Sequence, residues 1–208
     1  MPHRAASPRL GLRPRRLRPL PRNVPGRGVH QWRYPVQPAR PVYCPRNLAE
    51  YLHRHGHTLE PLADQELLAL SPGGGWRPAE VDPAISNVAV WDDPALVRQG
   101  FRPTILVSAA RITPALDPEV VLDRLEDTAA TLTDWRRRAG VRRIDDPRHV
   151  SDTLGEYSLG PLALSASTVA SVWTVRDPTA GVYTALRQVV VTTFPNQVDA
   201  QRDALRAR

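Results

Sequence analysis

The chain has 208 residues and a formal net charge of +7, from 28 basic and 21 acidic residues. Every basic residue is arginine, and Cys44 is the only cysteine, which excludes an internal disulfide and a metal site built from several cysteines. No apolar run approaches the ~20 residues of a membrane span, so we expect no transmembrane helix.

Residues 1–45 differ in composition from the rest of the chain. They contain 10 prolines, 10 arginines and no acidic residue, whereas residues 46–208 carry 18 arginines and 21 acidic residues. Because the first segment has few large aliphatic side chains, it cannot bury enough apolar surface to offset the entropy lost on ordering. We therefore predict a disordered arm over residues 1–45, followed by a single domain over residues 46–208.

Two interpretations of the arm stay open. Its arginines, with Trp32 and Tyr34 available to stack on bases, suit binding of nucleic acid or an anionic surface through release of counterions. Otherwise it is an inert tail, since no recognisable nucleic-acid-binding module accompanies it. Arginine and proline interrupt every apolar stretch near the start, so we expect no export signal in the chain as written, and we do not predict a lipid on Cys44.

The first elements after the arm are short. Asn47 suits the N-cap of a helix over Leu48–His55, and Gly56 suits its end. Asp64–Leu70 is predicted to be a strand and is followed by a glycine-rich loop. Val88–Trp91 is predicted to be a second strand, and the aspartates and proline after it predict a turn.

The stretch from Gly100 to Trp135 is predicted to organise the fold. Thr104–Ile112 is apolar on both alternating faces, which is typical of a strand covered on both sides of a sheet. Asp117 and Pro118 suit the N-cap and first residue of a helix. An apolar stripe follows at helical spacing: Val121, Leu122, Leu125, Ala129 and Leu132. Residues 136–140, three arginines followed by alanine and glycine, are predicted to close this helix.

The last third of the chain has a strand pattern. Val169–Val175 alternates, Tyr183–Phe194 is a long β-rich run, and the aspartate, proline and glycine between them predict a hairpin. A final helical segment is predicted over Gln197–Arg206, although its apolar stripe is thin.

Several strings in the sequence invite a chemical interpretation and do not support one. His53, His55 and His57 are spaced for zinc on a strand, but the first two fall on a predicted helix, where residues two apart point in different directions. Gly73–Gly75 lacks the lysine and hydroxyl residue of a phosphate-binding loop. Ser158 does not lie in a nucleophile-elbow sequence.

The remaining candidates also have simpler explanations. Two pairs of adjacent aspartates, at residues 92–93 and 145–146, are flanked by proline, as in turns. Three tryptophans, Trp76, Trp91 and Trp173, are expected in the core or in the wall of an apolar pocket. We therefore predict no catalytic residue, no metal site and no cofactor, and the sequence does not identify a ligand-binding residue.

The order of several sequence segments resembles the LpqN/LpqT family of actinobacterial lipoproteins and its proline-rich relatives. The match covers roughly Asn47 to Ala200, and its order and spacing are more specific than any one segment. The segments are NLAEYLHRHGHTLE (47–60), PGGGWRP (72–78), VAVWDDP (88–94), GFRPTILVSAARITPALDPEVVLDRL (100–125) and VVVTTFPNQVDA (189–200).

The resemblance implies an α+β fold, with an antiparallel sheet flanked by helices in a PsbP-like α/β/α sandwich. It also implies a non-enzymatic accessory or binding domain in the cell envelope or secreted, with a protein or lipid-like ligand. The family supplies no catalytic residues to transfer. The expected lack of an export signal leaves a cytoplasmic location open. The alternative function is an intracellular protein that binds nucleic acid or an anionic surface through the arm.

Overall fold

The computed structural model describes residues 47–82 and 87–197. These residues contain three α-helices: α1 (Leu48–Arg54), α2 (Gln65–Leu68) and α3 (Pro118–Ala129). They also contain eight strands: β1 (Thr58–Pro61), β2 (Arg77–Pro78), β3 (Val88–Asp92), β4 (Thr104–Thr113), β5 (Arg136–Asp145), β6 (Arg148–Leu159), β7 (Leu162–Asp177) and β8 (Gly181–Thr193).

All eight strands belong to one antiparallel sheet in the order β2-β3-β4-β8-β7-β6-β5. The short β1 lies on the same edge of β4 as β3, because β3 pairs with the first half of β4 and β1 pairs with its end. The predicted α+β class, an antiparallel sheet flanked by helices, is confirmed. The more specific likeness to a PsbP-like sandwich stays a prediction.

Strand β4 has the two-sided pattern that the sequence predicts. Ile105 and Val107 are fully buried on one face of the sheet, and Ile112 is fully buried on the other. Successive side chains of a strand point to opposite faces. Because β4 is apolar on both faces, it has to be covered on both, and it therefore lies inside the sheet.

The two faces are covered by different segments. On one, which we call the helix face, α1 and α3 pack through a buried cluster: Leu48, Leu52, Ile112, Val121, Leu122, Ala170, Val172 and Leu186. The opposite face, which we call the loop face, carries a second cluster: Ile105, Val107, Val189 and Val191. Burying one such aliphatic side chain stabilises a fold by ~1.5–3 kcal/mol, so the first cluster fixes the first turns of α3 on the sheet.

The helix starts follow the predicted capping residues. The side chain of Asn47 accepts a hydrogen bond from the Glu50 amide at 2.9 Å, and that of Asp117 accepts one from the Glu119 amide at 2.9 Å. Pro118 is the first residue of α3. These bonds satisfy amide donors that have no partner within the helix, so the predicted starts of α1 and α3 are confirmed.

The prediction of a strand over Asp64–Leu70 is wrong. Asp64 instead caps α2, because its carboxylate accepts from the amides of Glu66 at 2.9 Å and Leu67 at 3.3 Å. The strand of this region is β1, which lies earlier and was not predicted. Leu68 and Leu70 pack against the loop face of the sheet. These residues are therefore apolar because a helical turn buries them there, and not because they belong to a strand.

The predicted closure of α3 by residues 136–140 is also wrong. The helix ends at Ala129, and Thr131 donates its hydroxyl to the Thr128 carbonyl at 2.7 Å, within the turn that follows. The chain then enters β5, which pairs with β6, and neither strand was predicted. All ten residues of β5 are exposed, so the strand lacks the apolar alternation by which strands are recognised.

The predicted hairpin is confirmed, with strands longer than expected: β7 and β8 pair along most of their length. Predictions for the arm, its boundary at residue 45, Cys44 and the last helix lie outside the described residues, apart from Gln197. Within the described part of the chain, no helix is long and apolar enough to span a membrane.

Candidate ligand cavity between helix and sheet

The three histidines singled out in the sequence do not converge. His55 stacks on Tyr51, with ring centroids 4.2 Å apart, and its Nδ1 lies 2.8 Å from the Tyr51 carbonyl. Nδ1 of His57 lies 2.9 Å from the carbonyl of Pro114, while His53 is exposed. Among residues 47–82 and 87–197, no group of three His, Cys, Asp or Glu side chains is arranged to hold a metal ion.

The glycine-rich loop and its aspartate neighbours form a packed turn. A Cβ atom at Gly75 would lie 3.1 Å from both carboxylate oxygens of Asp93, so the absence of a side chain permits this close approach. Asp93 is buried and accepts from the Ala95 amide at 2.9 Å. Asp92 forms an ion pair with Arg102 at 2.5 Å. Both aspartates therefore have structural partners, as the turn interpretation predicts.

The predicted tryptophans do not line the apolar cavity that lies beneath α3. Trp76 and Trp91 pack against the loop-face cluster, which agrees with the expected core role. Trp173 is half-buried, with the Arg148 guanidinium 4.8 Å from its ring centroid. The tryptophan that lines the cavity is Trp135, which the sequence marks only as the end of the stretch that begins at Gly100.

The cavity lies between α3 and the helix face of the sheet and has a volume of about 390 Å³. Its roof is formed by α3 and the turn after it: Leu122, Leu125, Glu126, Thr128, Ala129, Thr131, Leu132 and Trp135. Its floor is formed by β6, β7 and β8: Ser151, Thr153, Tyr157, Ala166, Thr168, Ala170, Gln188, Val190 and Thr192.

The cavity lies above a part of the sheet where most floor residues are small. Alternate residues of three strands face α3 and form rows of paired positions: Thr153–Thr168–Val190, then Ser151–Ala170–Gln188. In the next row, Val172 and Leu186 are larger and pack against the first turns of α3. Where serine, alanine and threonine replace them, the side chains stop short of the helix and a space remains beneath its later turns.

An aromatic contact joins the roof of the cavity to the sheet. The six-membered part of the Trp135 indole lies on Gly155 of β6, in the space that a Cβ atom would occupy. The turn that carries Trp135 is also tied to β6, because the Ser158 amide donates to the Thr133 carbonyl at 2.9 Å. The roof therefore has a fixed end, which is set by one side chain and one backbone bond.

The polar groups of the floor are mostly uncharged. The Tyr157 hydroxyl is hydrogen-bonded to Thr192, while the hydroxyls of Ser151 and Thr153 lie 3.4 Å apart. Burial raises the pKa of Tyr157, and the hydrogen bond with Thr192 opposes that shift. Tyr157 is therefore neutral at physiological pH and presents a hydroxyl to the cavity.

Among the described residues that line the cavity, Glu126 is the only one with a formal charge. Its carboxylate is bound by Arg137 at 2.9 Å and by Arg142 at 2.9 Å. Both arginines come from β5, the exposed edge strand. The charge at the wall is thus neutralised from outside, and the interior offers apolar surface together with hydroxyl and amide groups.

Sequence reasoning missed this site because no floor residue is unusual by itself. Ser151, Thr168 and Gln188 come from three strands, and their convergence depends on a register that a single sequence does not reveal. The available signal was the run of small and hydroxyl residues in β7, LALSASTVAS, which leaves one stretch of the sheet without large side chains.

Comparisons with protein-family models and with curated protein sequences find no match. Among solved structures, the chain is similar to the crystal structure of LpqN, described as involved in cell envelope biogenesis of Mycobacterium tuberculosis. The TM-score is 0.61, at 15% sequence identity, over 76% of this chain and 91% of that chain. The likeness establishes a shared fold with LpqN, and membership of its family stays a prediction.

Proposed function

We propose that this protein is a non-enzymatic binding domain of the LpqN type, which works in the cell envelope and holds a lipid-like ligand in the cavity beneath α3. The observation that carries the proposal is the composition of the cavity, with leucine, alanine and tryptophan above and hydroxyl groups below. Its volume of about 390 Å³ falls in the range of small-molecule sites, roughly 300–1,000 Å³.

The distribution of polarity favours an uncharged amphiphile. Leu122, Leu125 and Ala129 offer an apolar wall for a hydrocarbon segment, since removal of apolar surface from water favours binding. Thr168 and Tyr157 offer hydroxyl groups that donate to or accept from an uncharged polar group. A free carboxylate or phosphate in the interior would lack a cationic partner among the described lining residues, and its burial would be costly.

The same lining supports a binding role over a catalytic one. Glu126 is the sole acid among the described lining residues, and its carboxylate is engaged by Arg137 and Arg142. General acid–base or nucleophilic chemistry would need a second titratable group within hydrogen-bond reach of a substrate in the cavity. The described lining offers hydroxyl groups without a histidine, cysteine or second carboxylate to activate them.

The envelope part of the proposal rests on the structural likeness to LpqN, a protein described as involved in envelope biogenesis. It is tested by separating the native host into envelope, secreted and cytosolic fractions and detecting peptides of this chain by mass spectrometry. Enrichment in the envelope or medium supports the proposal. Recovery confined to the cytosol contradicts this location while leaving the cavity to be tested separately.

The cavity is tested with N-phenyl-1-naphthylamine, a neutral fluorophore, and with a monoacylglycerol as competitor. The full chain is expected to bind the fluorophore saturably and to release it to the competitor. Thr168→Phe, which fills the floor, is expected to weaken binding at least tenfold. Thr174→Phe makes the same change on β7 at an exposed position outside the cavity and is expected to bind normally. Equal binding by both variants would contradict the proposal.

A further inference from the structure

Two arginines face each other across β7 on the loop face, opposite the ligand cavity. Arg187 of β8 pairs in register with Ser171 of β7, which in turn pairs with Val150 of β6. Arg148 lies two residues before Val150 and therefore projects to the same face. The two arginine side chains thus flank the segment of β7 that carries Ser171 and Trp173.

Both guanidinium groups are positioned by neighbouring atoms. Arg187 donates from Nε to the Leu67 carbonyl at 2.6 Å and from Nη2 to the Ala69 carbonyl at 3.3 Å. Arg148 lies over the indole of Trp173, 4.8 Å from the ring centroid. A guanidinium that is already oriented loses less entropy when it binds a ligand, so both groups are prepared for recognition.

The charges of this pair are not balanced by carboxylates, in contrast to those of many other arginines that the structure describes. Seven arginines of the described chain form ion pairs with carboxylates: Arg102, Arg111, Arg124, Arg137, Arg138, Arg142 and Arg143. Within residues 47–82 and 87–197, neither Arg148 nor Arg187 forms such an ion pair. Burial lowers the pKa of Arg187, and repulsion from Arg148 lowers it further.

We infer that Arg148 and Arg187 form an anion-binding site that takes a phosphate monoester, with Ser171 between them as an additional hydroxyl donor. Guanidinium groups match the oxygens of a phosphate through paired N–H donors, and a charge near −2 balances two arginines. The attraction of both guanidinium groups to a phosphate lying between them would also offset their mutual repulsion. This site is separate from the cavity and does not depend on the proposed function.

The test uses the full chain and follows the indole N–H resonance of Trp173 by NMR, assigned with Trp173→Phe. Glycerol 3-phosphate is titrated at constant ionic strength against sodium chloride. Vesicles containing phosphatidic acid form the second arm, which distinguishes a free ester from a lipid headgroup. In at least one arm we expect a saturable shift of this resonance. Arg148→Gln is expected to weaken binding roughly tenfold, as for one lost charge-assisted hydrogen bond.

The controls separate the site from general electrostatics. Arg143→Gln removes the same charge from an exposed arginine that is paired with Asp145, and we expect it to bind like the unmodified chain. Arg187→Gln also loses hydrogen bonds to two carbonyls. Its binding is therefore interpreted only if its circular dichroism spectrum matches that of the unmodified chain. The proposal is overturned if Trp173 does not respond in either arm, or if Arg148→Gln and Arg143→Gln bind equally.

Discussion

The indole of Trp135 occupies the place where a side chain at Gly155 would begin, so one glycine on β6 sets how closely the roof of the cavity approaches its floor. Trp135 follows the turn after α3, and Gly155 lies in the middle of β6. This contact joins the only tryptophan among the described lining residues to the sheet. The shape of the cavity therefore depends on this pair.

Replacing Gly155 by alanine is expected to displace Trp135. The new methyl group overlaps a ring that cannot move without opening the roof, and such overpacking typically costs ~1–3 kcal/mol of unfolding free energy. Urea denaturation measures the loss, and fluorophore binding measures the change in the cavity. Gly140→Ala is the matched control, because the atoms nearest to its methyl group belong to the flexible guanidinium end of Arg137. An equal loss in both variants would show that the contact with Trp135 is not what matters.

Arg142 is expected to stabilise α3 through three carboxylates on one helix face. It lies 3.4 Å from Glu119, 2.7 Å from Asp123 and 2.9 Å from Glu126. Arg142→Gln leaves these like charges facing one another. Because the side chains are partly exposed, we expect Arg142→Gln to lower the free energy of unfolding by only about 1 kcal/mol, and by less in 1 M sodium chloride.

Arg138→Gln is the control for this prediction. Arg138 is paired with Glu156 alone and is more exposed than Arg142. We therefore expect Arg138→Gln to leave the free energy of unfolding almost unchanged. Thermal unfolding at low and high salt compares the two variants. A salt-independent loss in Arg142→Gln would mean that its packing, and not its charge, stabilises the helix.

The raised pKa of Tyr157 predicts that the free energy of unfolding declines at alkaline pH. Because burial raises its pKa in the folded state, its contribution is fully present below the unfolded value, about 10, and falls as pH rises through the folded value. Tyr157→Phe removes this contribution, so its unfolding free energy is expected to fall less steeply than that of the unmodified chain between pH 9 and 11. Urea denaturation across this range is the measurement, and identical slopes would contradict the prediction.

Residues 1–45 are expected to carry any affinity of the chain for DNA. Residues 46–208 contain more acidic residues than arginines, whereas the arm contains 10 arginines and no acidic residue. We expect weak binding that is independent of DNA sequence, falls steeply with salt, and disappears when residues 1–45 are deleted. Fluorescence anisotropy with a labelled duplex tests this. Binding that survives the deletion would place the interaction in the folded domain.

The sequence predicted those elements whose apolar spacing is regular or whose caps are explicit. Thr104–Ile112 is apolar on both alternating faces and forms a strand, and Asp117 followed by Pro118 starts a helix. The prediction for residues 136–140 was wrong because basic residues followed by glycine also suit the end of a helix, and β5 has no buried residue to indicate a strand. Its pairing depends on β6, which lies beyond it in the sequence.

The candidate site was less predictable than the fold. Its floor brings together Thr153, Thr168 and Val190 through strand register, and its roof needs the turn that reverses the chain before Trp135. Neither feature has a local signature. Capping and periodicity act within a few residues, whereas a cavity depends on what is missing between elements that are distant in sequence.

Intermolecular NOEs show whether a lipid-like molecule binds between α3 and the sheet. The measurement uses the full chain with methyl-labelled side chains and an unlabelled monoacylglycerol. We predict contacts from the acyl chain to methyl groups of Leu125, Thr168 and Val190, which line the cavity. Contacts confined to Val189 and Val191, on the opposite face of the sheet, or no contacts at saturation, would contradict binding beneath α3.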